Sequence, residues 1–164
     1  MTTLKTYFDI EYGQREYHSK RDLKENKNGT PLISAKAKNQ GIYGYYDIEP
    51  KYSNVISVPN TGTGTICHAL YQGKLCCIDD NCLVLIPKIK LALNEIFYFV
   101  LLIRKQRFRF MRGRQITDER LGNLEIPDKI PKWVYEKKVL NTEIFSQPLE
   151  KKIVSLKSRK WNFF

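Results

Sequence analysis

The sequence predicts a single α+β domain with a β-rich core and one buried helix after the central strands. The chain has 164 residues, enough to bury a hydrophobic core without disulfides or bound metal. Hydrophobic residues make up 42% of it and charged residues 27%, as in an ordinary folded domain. Short strand-like runs fill the chain up to Pro87, and one long helical pattern follows them. Strands first and a helix late is the order typical of an α+β fold.

The first half of the chain carries the strand patterns. Apolar and polar residues alternate over residues 6–13, which predicts a strand with a turn at Gly13. Ser19 is expected to cap a short polar helix that Asn28 and Gly29 terminate. Two glycines in residues 60–65 predict a hairpin loop. Further strands are expected at residues 32–35, 42–48, 55–58, 66–71, 75–78 and 83–86.

The second half begins with the helical pattern. A helix is predicted over residues 94–106, with Asn94 as its cap, and its largely apolar surface indicates packing against the sheet. Thr117 should start a short second helix that ends at Gly122. Residues 124–127 are expected to form an edge strand, and a further helix could follow Pro148.

Charge gives the first indication of a partner. The net charge is +11. Residues 1–82 contain ten of the 28 basic residues and nine of the 17 acidic residues. The excess therefore belongs to the second half, which favours a surface that binds a polyanion such as nucleic acid. A basic surface that only serves solubility is the alternative.

Residues 104–114 are the most informative segment, because six of the eleven are basic and none is acidic. Phe108 and Phe110 alternate with arginines, so an extended conformation would place aromatic rings on one face and guanidiniums on the other. Guanidiniums suit both phosphates and the paired acceptors of guanine. We assign phosphate contacts to Arg107, Arg109 and Arg112, and base reading to Arg114 and Gln115. The alternative is a solvated basic edge held by two core phenylalanines.

Residues 36–45 form a second candidate segment. Lys36 and Lys38 could contact phosphates, while Asn39, Gln40 and Tyr43 could read bases, since amide side chains pair with adenine. An ordinary polar loop is the alternative interpretation.

No catalytic or metal-binding motif accompanies these segments. Cys67, Cys76, Cys77 and Cys82 lack the spacing that grips zinc, so we expect buried core thiols. Asp79 and Asp80 could suggest a nuclease, but a turn between strands is the better interpretation. The longest apolar run is too short to cross a bilayer, and residues 1–5 lack a signal-peptide core. We therefore expect a cytoplasmic chain without membrane contact.

Together these segments resemble a target recognition domain of the specificity (S) subunits of type I restriction–modification systems, or of related type II methyltransferase systems. The resemblance extends from Tyr7 to Trp133 and predicts a recognition domain at residues 1–133 and a basic C-terminal extension at residues 134–164. The segments that carry it are residues 29–34, 39–45, 54–58 with Gly62 and Gly64, Tyr71 with Gln72, residues 80–87, residues 107–114, and Arg120 with Leu121 and residues 124–127.

The resemblance implies a non-catalytic module that reads half of a bipartite site in double-stranded DNA. Its partners would be an adenine methyltransferase subunit and, in type I systems, a restriction subunit. S-adenosylmethionine, ATP and Mg²⁺ would belong to those partners, so no cofactor is expected here. A complete S subunit has two such domains separated by long paired helices, whereas this chain has one domain and a short extension. A second copy of the chain is therefore also an expected partner.

Two other functions stay open at this point. The first is a small DNA-modifying enzyme or nuclease that uses Asp79 or Asp80. The second is an RNA-binding protein, because alternating basic and aromatic residues also suit single-stranded bases. A docking surface for a partner is expected at residues 133–135 and at the apolar positions of the extension, although these residues could equally cover the domain's own core. The apolar positions are Ile153, Val154, Leu156 and Trp161.

Overall fold

The structure, a computed structural model, describes residues 1–111 and 113–136. Three α-helices and four single 3₁₀ turns accompany nine strands in this part of the chain. The strands are β1 (Thr2–Thr3), β2 (Phe8–Tyr12), β3 (Glu25–Ile33), β4 (Ile42–Tyr46), β5 (Val55–Pro59), β6 (Leu70–Gln72), β7 (Cys77–Ile78), β8 (Cys82–Pro87) and β9 (Glu125–Ile126). The helices are α1 (Leu93–Lys105), α2 (Asp118–Gly122) and α3 (Lys132–Glu136). The α+β prediction is confirmed.

The strands form three sheets. A central antiparallel sheet has the order β2-β8-β5-β6. A smaller sheet has the order β4-β3-β7, in which β3 pairs antiparallel with β4 and parallel with β7. The terminal strands β1 and β9 form an antiparallel pair, with Thr2 opposite Ile126. This pair confirms the strand predicted at residues 124–127.

The central sheet is buried on both faces, as strand β8 shows. Leu83 and Leu85 belong to the main hydrophobic cluster, which includes α1. Cys82 and Val84 belong to a second cluster, which includes residues of β3 and β7. Because side chains alternate along a strand, a strand with two covered faces has a continuous apolar sequence. This explains why residues 82–86 show no polar alternation.

Helix α1 packs its buried face onto the central sheet. Ile96, Phe99, Val100 and Ile103 follow the spacing of one helix face, and all four are buried in the main cluster. The Phe99 ring meets the Phe8 ring edge to face, with 5.1 Å between their centroids. The predicted packing of this helix against the sheet is confirmed. Among the described residues, no helix has the length and apolarity needed to cross a membrane.

The start of α1 differs from the prediction. The residue preceding the helix is Ala92, whose backbone N–H donates to Glu95 Oε2 at 2.7 Å. Glu95 thus satisfies a free N–H and places a negative charge at the positive end of the helix. Asn94 lies inside the first turn instead, where its Nδ2 donates to the Val134 carbonyl of α3. The predicted Asn94 cap is wrong, because a carboxylate one residue later caps the helix.

The helix predicted after Ser19 is also wrong. A single 3₁₀ turn at Arg15–Tyr17 precedes an irregular stretch, and strand β3 already starts at Glu25. Asn28 and Gly29 therefore lie within β3, where the register with β4 shifts between Glu25 and Thr30. A Cβ on Gly29 would lie 2.3 Å from the Tyr46 carbonyl oxygen. This glycine permits a close approach of two strands and does not end a helix.

The extended conformation considered for residues 104–114 is not found where Phe108 alternates with Arg107 and Arg109. Helix α1 continues into a 3₁₀ turn at Arg107–Arg109, and the Phe110 N–H donates to the Arg107 carbonyl at 3.0 Å. In such a turn, residues two positions apart do not share a face. Phe108 is accordingly 67% exposed while Phe110 is 3% exposed. The described basic residues of this segment therefore project in several directions.

The remaining elements largely follow the patterns. Helix α2 starts after Thr117, whose side chain accepts the Arg120 N–H, and it ends at Gly122 as predicted. The strand expected over residues 66–71 is shorter, because a turn that includes Cys67 at φ +61° occupies its first part. The helix considered after Pro148 lies outside the described residues.

All four cysteines are free and buried, which confirms the prediction of core thiols. Burial raises the pKa of the Cys67 thiol to about 12, and it raises the pKa of Cys76 to about 12 as well. Cys67 Sγ also contacts the Ile103 carbonyl at 3.1 Å, so it ties the turn before β6 to helix α1. These thiols stabilise the packing of the domain.

Candidate nucleic-acid interface

The loop at residues 60–65 leads out of strand β5 at one end of the central sheet. Gly62 has φ +84°, and its carbonyl accepts the Ile66 N–H at 2.9 Å. A Cβ at Gly62 would lie 2.4 Å from Thr65 Oγ1, so the turn requires glycine for space as well as for conformation. The predicted loop is confirmed, and residues 61–64 are exposed.

Arg107 holds this loop from the end of α1. Its Nη2 donates to the carbonyl oxygens of Thr63 and Gly64, each at 3.0 Å. Its Nε is buried without a hydrogen-bond partner among the described residues. The phosphate contact expected of Arg107 stays a prediction, and these bonds give its guanidinium a positioning role within the chain.

The segment after Phe110 runs beside the loop. Phe110 is buried and packs under the Arg120 guanidinium, whose central carbon lies 5.4 Å from the ring centroid. Gly113 has φ +77°, a conformation that L side chains rarely adopt, and it turns the chain. Arg114 and Gln115 follow and are exposed. Both residues of this segment that were predicted to read bases therefore lie at the surface.

A cleft of about 230 Å³ separates the loop from this segment. Arg114 and Gln115 line it together with the loop, so the structure brings two distant parts of the sequence to one site. The loop carries no base-reading signal in the sequence, because its glycines indicate only a turn. The residues that line the cleft are Asn60, Thr61, Gly62, Thr63, Ile66, Phe110, Met111, Gly113, Arg114 and Gln115.

The second candidate segment lies on the smaller sheet and the turn before β4. Lys36, Lys38, Asn39, Gln40 and Tyr43 are all exposed, as base- and phosphate-contacting residues must be. Lys36 Nζ lies 4.9 Å from the Tyr43 ring centroid, so the lysine and the tyrosine form a cation–π pair.

The turn that presents Asn39 and Gln40 is strained. Both residues have φ +51°, a left-handed conformation that is uncommon for a residue other than glycine. Gln72 of β6 is buried, and its Nε2 donates to the Gln40 carbonyl at 3.0 Å. This contact fixes the turn to the central sheet. Gln72 was singled out from the sequence only as part of the family pattern with Tyr71, and its positioning role was missed.

A continuous series of contacts joins the loop at residues 60–65 to this second segment. Asn60 Nδ2 donates to the Asp80 carbonyl, and Asp80 Oδ1 lies 2.7 Å from His18 Nδ1. Lys20 follows His18 by two residues, and its Nζ lies 5.2 Å from the Tyr43 ring centroid. These contacts link the loop to the second segment within the fold, through Asn60, which is itself buried. His18 and Lys20 were not predicted to take part, since they are about sixty positions away from Asp80 in the sequence.

Asp79 has a structural role in this connection. It is fully buried, and its Oδ2 accepts from Lys20 Nζ at 2.5 Å. Its Oδ1 accepts the Asn81 N–H at 3.1 Å, which is the side-chain contact expected of aspartate in a turn. The predicted turn is confirmed. Both Asp79 oxygens have partners within the fold, and no cluster of three or more potential metal ligands occurs among the described residues.

The neighbourhood of the loop is positive. Arg104 Nε donates to the Ala69 carbonyl at 2.7 Å, so its guanidinium is fixed beside the turn that precedes β6. Burial lowers the pKa of His68, and the charges of Arg104 and Arg107 lower it further. These two arginines place positive charge at this end of the sheet.

The other predicted phosphate contacts differ in position. Arg109 is exposed, and its guanidinium carbon lies 5.9 Å from the Phe108 ring centroid. It lines a separate cleft with Glu119 and Arg120, on the far side of Phe110. Arg112 lies outside the described residues.

The predicted docking residues belong to helix α3, which packs against α1. Val134 is buried, whereas Trp133 is 49% and Tyr135 56% exposed. The Tyr135 hydroxyl donates to Glu95 Oε1 at 2.7 Å, and the Trp133 ring meets Tyr98 edge to face. Both aromatic residues thus contact the domain and still present apolar surface. The docking positions in the C-terminal extension lie outside the described residues.

Comparison with protein families gives one match. The model of the type I restriction modification DNA specificity domain matches residues 3–157. Comparison with curated protein sequences gives no match.

Solved structures share the fold. An S subunit of a type I restriction-modification system from M. genitalium superposes with a TM-score of 0.61 at 15% identity, covering 74% of this chain and 32% of that one. An HsdS subunit from Thermoanaerobacter tengcongensis gives a TM-score of 0.63 at 15% identity and covers 98% of this chain and 40% of its own. A chain from a study of complex assembly in a type I restriction-modification system gives 0.60 at 16% identity, with coverage of 95% and 39%. This chain therefore spans well under half the length of these relatives.

Proposed function

The chain belongs to the type I restriction modification DNA specificity domain family, and we propose that it is a non-catalytic module that reads a sequence in double-stranded DNA. The family resemblance inferred from the sequence is confirmed by this match. In this role the chain directs a partner adenine methyltransferase, and in a type I system a restriction subunit, to their target. S-adenosylmethionine, ATP and Mg²⁺ are used by those partners, and the complex acts in the cytoplasm.

The observation that carries this proposal is the exposure of basic and amide side chains on both segments that the sequence singles out. Arg114 and Gln115 are exposed beside the loop at residues 60–65, and the exposed Lys36–Tyr43 pair lies on the second segment. Arginine and amide side chains are the groups that pair bidentately with base edges, while lysines neutralise phosphates. A DNA-reading surface needs both kinds of residue in one place.

The proposed roles keep the assignments made from the sequence. Base reading is assigned to Arg114 and Gln115 at the cleft and to Asn39, Gln40 and Tyr43 on the second segment. Phosphate contacts are assigned to Lys36, Lys38, Arg107, Arg109 and Arg112. Of these, Arg107 also positions the loop, because its Nη2 is bonded to two loop carbonyls.

One binding experiment tests the proposal directly. Purified chain is titrated against fluorescently labelled duplex DNA and against RNA of the same sequence at several salt concentrations. If six to ten cations contact phosphates, the affinity for duplex DNA falls by roughly three to five orders of magnitude between about 50 and 200 mM salt. An affinity that does not respond to salt contradicts DNA binding, and a preference for the RNA supports an RNA-binding protein instead.

The non-catalytic role and the partnership have their own tests. Incubation of the purified chain with duplex DNA and Mg²⁺ should leave the DNA intact, and cleavage would establish an enzyme. Sequencing of the methylated bases in the host genome, with and without the gene, should show one methylated motif that depends on this chain.

A further inference from the structure

His18 has one ring nitrogen held by the fold and the other open to solvent. Its Nδ1 lies 2.7 Å from Oδ1 of Asp80, which belongs to the turn between β7 and β8. The His18 side chain is 66% exposed, whereas that of Asp80 is 17% exposed. Within the described part of the chain, Nε2 has no hydrogen-bond partner. The ring is therefore oriented by the protein and can bind a ligand through Nε2.

Backbone contacts fix the segment that carries this ring. The Gln14 N–H donates to the Ile78 carbonyl at 2.7 Å, which ties the start of the segment to β7. The His18 N–H donates to the Arg15 carbonyl at 3.0 Å and closes a 3₁₀ turn. Asp80 lies in the short turn that follows β7, so both partners of the His18–Asp80 contact are attached to the same strand. The orientation of the ring does not require a ligand.

The contact with Asp80 determines which nitrogen of His18 gains a proton. An ionised carboxylate only accepts hydrogen bonds, so Nδ1 carries the hydrogen of the neutral ring. Protonation then places the second hydrogen on Nε2, the nitrogen that the fold leaves free. A protonated imidazole donates a strong hydrogen bond to an anionic oxygen. The free nitrogen is therefore suited to an anion when the ring is charged.

The charges around His18 make its own protonation decisive. Asp80 faces Nδ1, on the other edge of the ring from Nε2. Lys20 Nζ donates to the His18 carbonyl at 3.1 Å, and its charge is paired with the buried carboxylate of Asp79. Two basic and two acidic side chains of the same segment are exposed and balance each other: Arg15, Glu16, Arg21 and Asp22. Protonation of His18 thus removes the net negative charge that Asp80 would otherwise leave here.

His18 lies beside the second candidate segment. Lys20 Nζ, which contacts the His18 carbonyl, also lies 5.2 Å from the Tyr43 ring centroid. Lys36 Nζ lies 4.9 Å from the same centroid, and the side chains of Tyr43 and Lys36 are both exposed. Phosphates follow one another closely along a DNA strand. A backbone that contacts Lys36 therefore brings a further phosphate to His18.

We propose that His18 is a further DNA-contacting residue, whose protonated ring donates from Nε2 to a backbone phosphate while Asp80 holds Nδ1. This inference rests on the proposed function, because it concerns the same DNA and the second candidate segment. The proton on Nε2 comes from solvent, so the complex takes up a proton when it forms with the neutral ring. The affinity for DNA should therefore rise as the pH falls.

The test measures the affinity of the full-length chain for a duplex of mixed sequence at low salt. A phosphate contact is independent of base sequence, so the recognised sequence is not required. Histidine changes charge between about pH 8 and pH 6, and the affinity should rise about tenfold over this range. A tenfold rise is the order expected of one hydrogen bond to a charged group. An affinity that is constant over this range would overturn the proposal.

Two matched variants locate the effect, since the chain has two histidines. His18→Gln retains a polar side chain that cannot gain a proton, so the rise in affinity should disappear. His68→Gln is the control and should retain the rise. Burial lowers the pKa of His68, as do the charges of Arg104 and Arg107, so this ring contributes less charge in the same range. Thermal melting confirms that both variants fold. A rise that survives in His18→Gln would assign the effect to another group and refute the proposal.

Nuclear magnetic resonance of the two histidine rings provides an independent readout. Binding and protonation favour each other equally, so DNA should keep His18 protonated to a higher pH than in the free chain. The His68 ring should titrate alike with and without DNA. A His18 titration that DNA leaves unchanged contradicts the proposal. If salt-dependent binding to the duplex persists in that case, this inference alone fails. If no duplex binds in a salt-dependent manner, the proposed function fails with it.

Discussion

Arg107, Arg109 and Arg114 lie close together in the sequence, yet their guanidiniums have different surroundings. Arg107 is bonded to the carbonyls of Thr63 and Gly64, Arg109 projects beside the exposed Phe108 ring, and Arg114 stands at the cleft. The binding energy from an arginine that reads a base depends on the DNA sequence, whereas the binding energy from an arginine that contacts a phosphate does not. The three residues should therefore respond differently to substitution.

We predict that Arg114→Ala and Arg109→Ala affect DNA binding in different ways. Arg114→Ala should cost about 1–3 kcal/mol on the preferred sequence and relax the choice at one base pair, because a bidentate contact to guanine is lost. Arg109→Ala should weaken binding to all sequences alike and lower the salt slope by about one. Binding selections from a random duplex library, carried out with each variant, measure both effects. Uniform losses in both variants, with the base preference unchanged, would refute the assignment of Arg114.

The buried thiols give a prediction about pH. The pKa of Cys67 is raised to about 12 from an ordinary value near 9, because burial penalises the thiolate. Between pH 9 and 12 the Cys67 thiol stays protonated in the folded chain, whereas the same thiol ionises in the unfolded chain. Its contribution to the free energy of unfolding is therefore fully present below pH 9 and is lost as the pH rises toward 12. Urea unfolding at pH 8 and pH 10.5 should show lower stability at the higher pH.

Thiol labelling checks the same inference on the folded chain. At pH 8, a disulfide reagent should react slowly with the native protein and label all four cysteines after unfolding. Fast labelling of the native protein would show that a cysteine is exposed and reactive.

At the scale of elements, α1 contributes one buried face to the main hydrophobic cluster. Its buried face follows the spacing of Ile96, Phe99, Val100 and Ile103, and this spacing is visible in the sequence. The end of the helix is not visible in the sequence. Arginine and phenylalanine alternate at Arg107–Arg109, and yet a 3₁₀ turn extends the helix there. Alternation predicts a strand only where a neighbouring strand supplies hydrogen bonds, and here the Phe110 N–H bonds back to Arg107.

We predict that Phe99→Ala destabilises the domain by about 3–5 kcal/mol, because it removes a fully buried ring that contacts Phe8 and leaves a cavity. Leu101→Ala is the matched control on the same helix, since Leu101 is 50% exposed. Its effect should stay within about 1 kcal/mol. Urea denaturation followed by circular dichroism measures both. Equal effects of the two substitutions would mean that α1 does not pack as described.

At the scale of the whole molecule, the chain is shorter than the proteins whose fold it shares. It spans 32–40% of the length of its structural relatives. A single module buries roughly 600–1,000 Å² on DNA, which is little for discrimination over a genome. A second module held nearby raises the affinity through effective concentration. The division into a recognition domain at residues 1–133 and an extension at residues 134–164 stays a prediction.

We therefore predict that selective DNA binding requires either a second copy of this chain or a methyltransferase subunit. Light scattering should detect self-association, or co-purification should capture the methyltransferase, and the resulting complex should select one sequence. Trp133→Ala with Tyr135→Ala should weaken that association, since both side chains are about half exposed on α3. A strict monomer that binds one sequence tightly on its own would contradict this prediction.

The residues alone predict the family, the α+β class, the buried thiols and the two candidate segments at residues 36–45 and 104–114. These properties depend on composition, on apolar spacing and on the order of short motifs, all of which are local in the chain. Only the folded structure shows three contacts between distant residues. They join Asn60 to Asp80, Lys20 to Asp79, and the loop at residues 60–65 to Arg114. Each of these contacts joins residues that are twenty to sixty positions apart, and pairings across such distances depend on the register of the sheets and the packing of α1. The same reason explains why Arg107 could be recognised as basic from the sequence, whereas its bonds to two loop carbonyls required the tertiary structure.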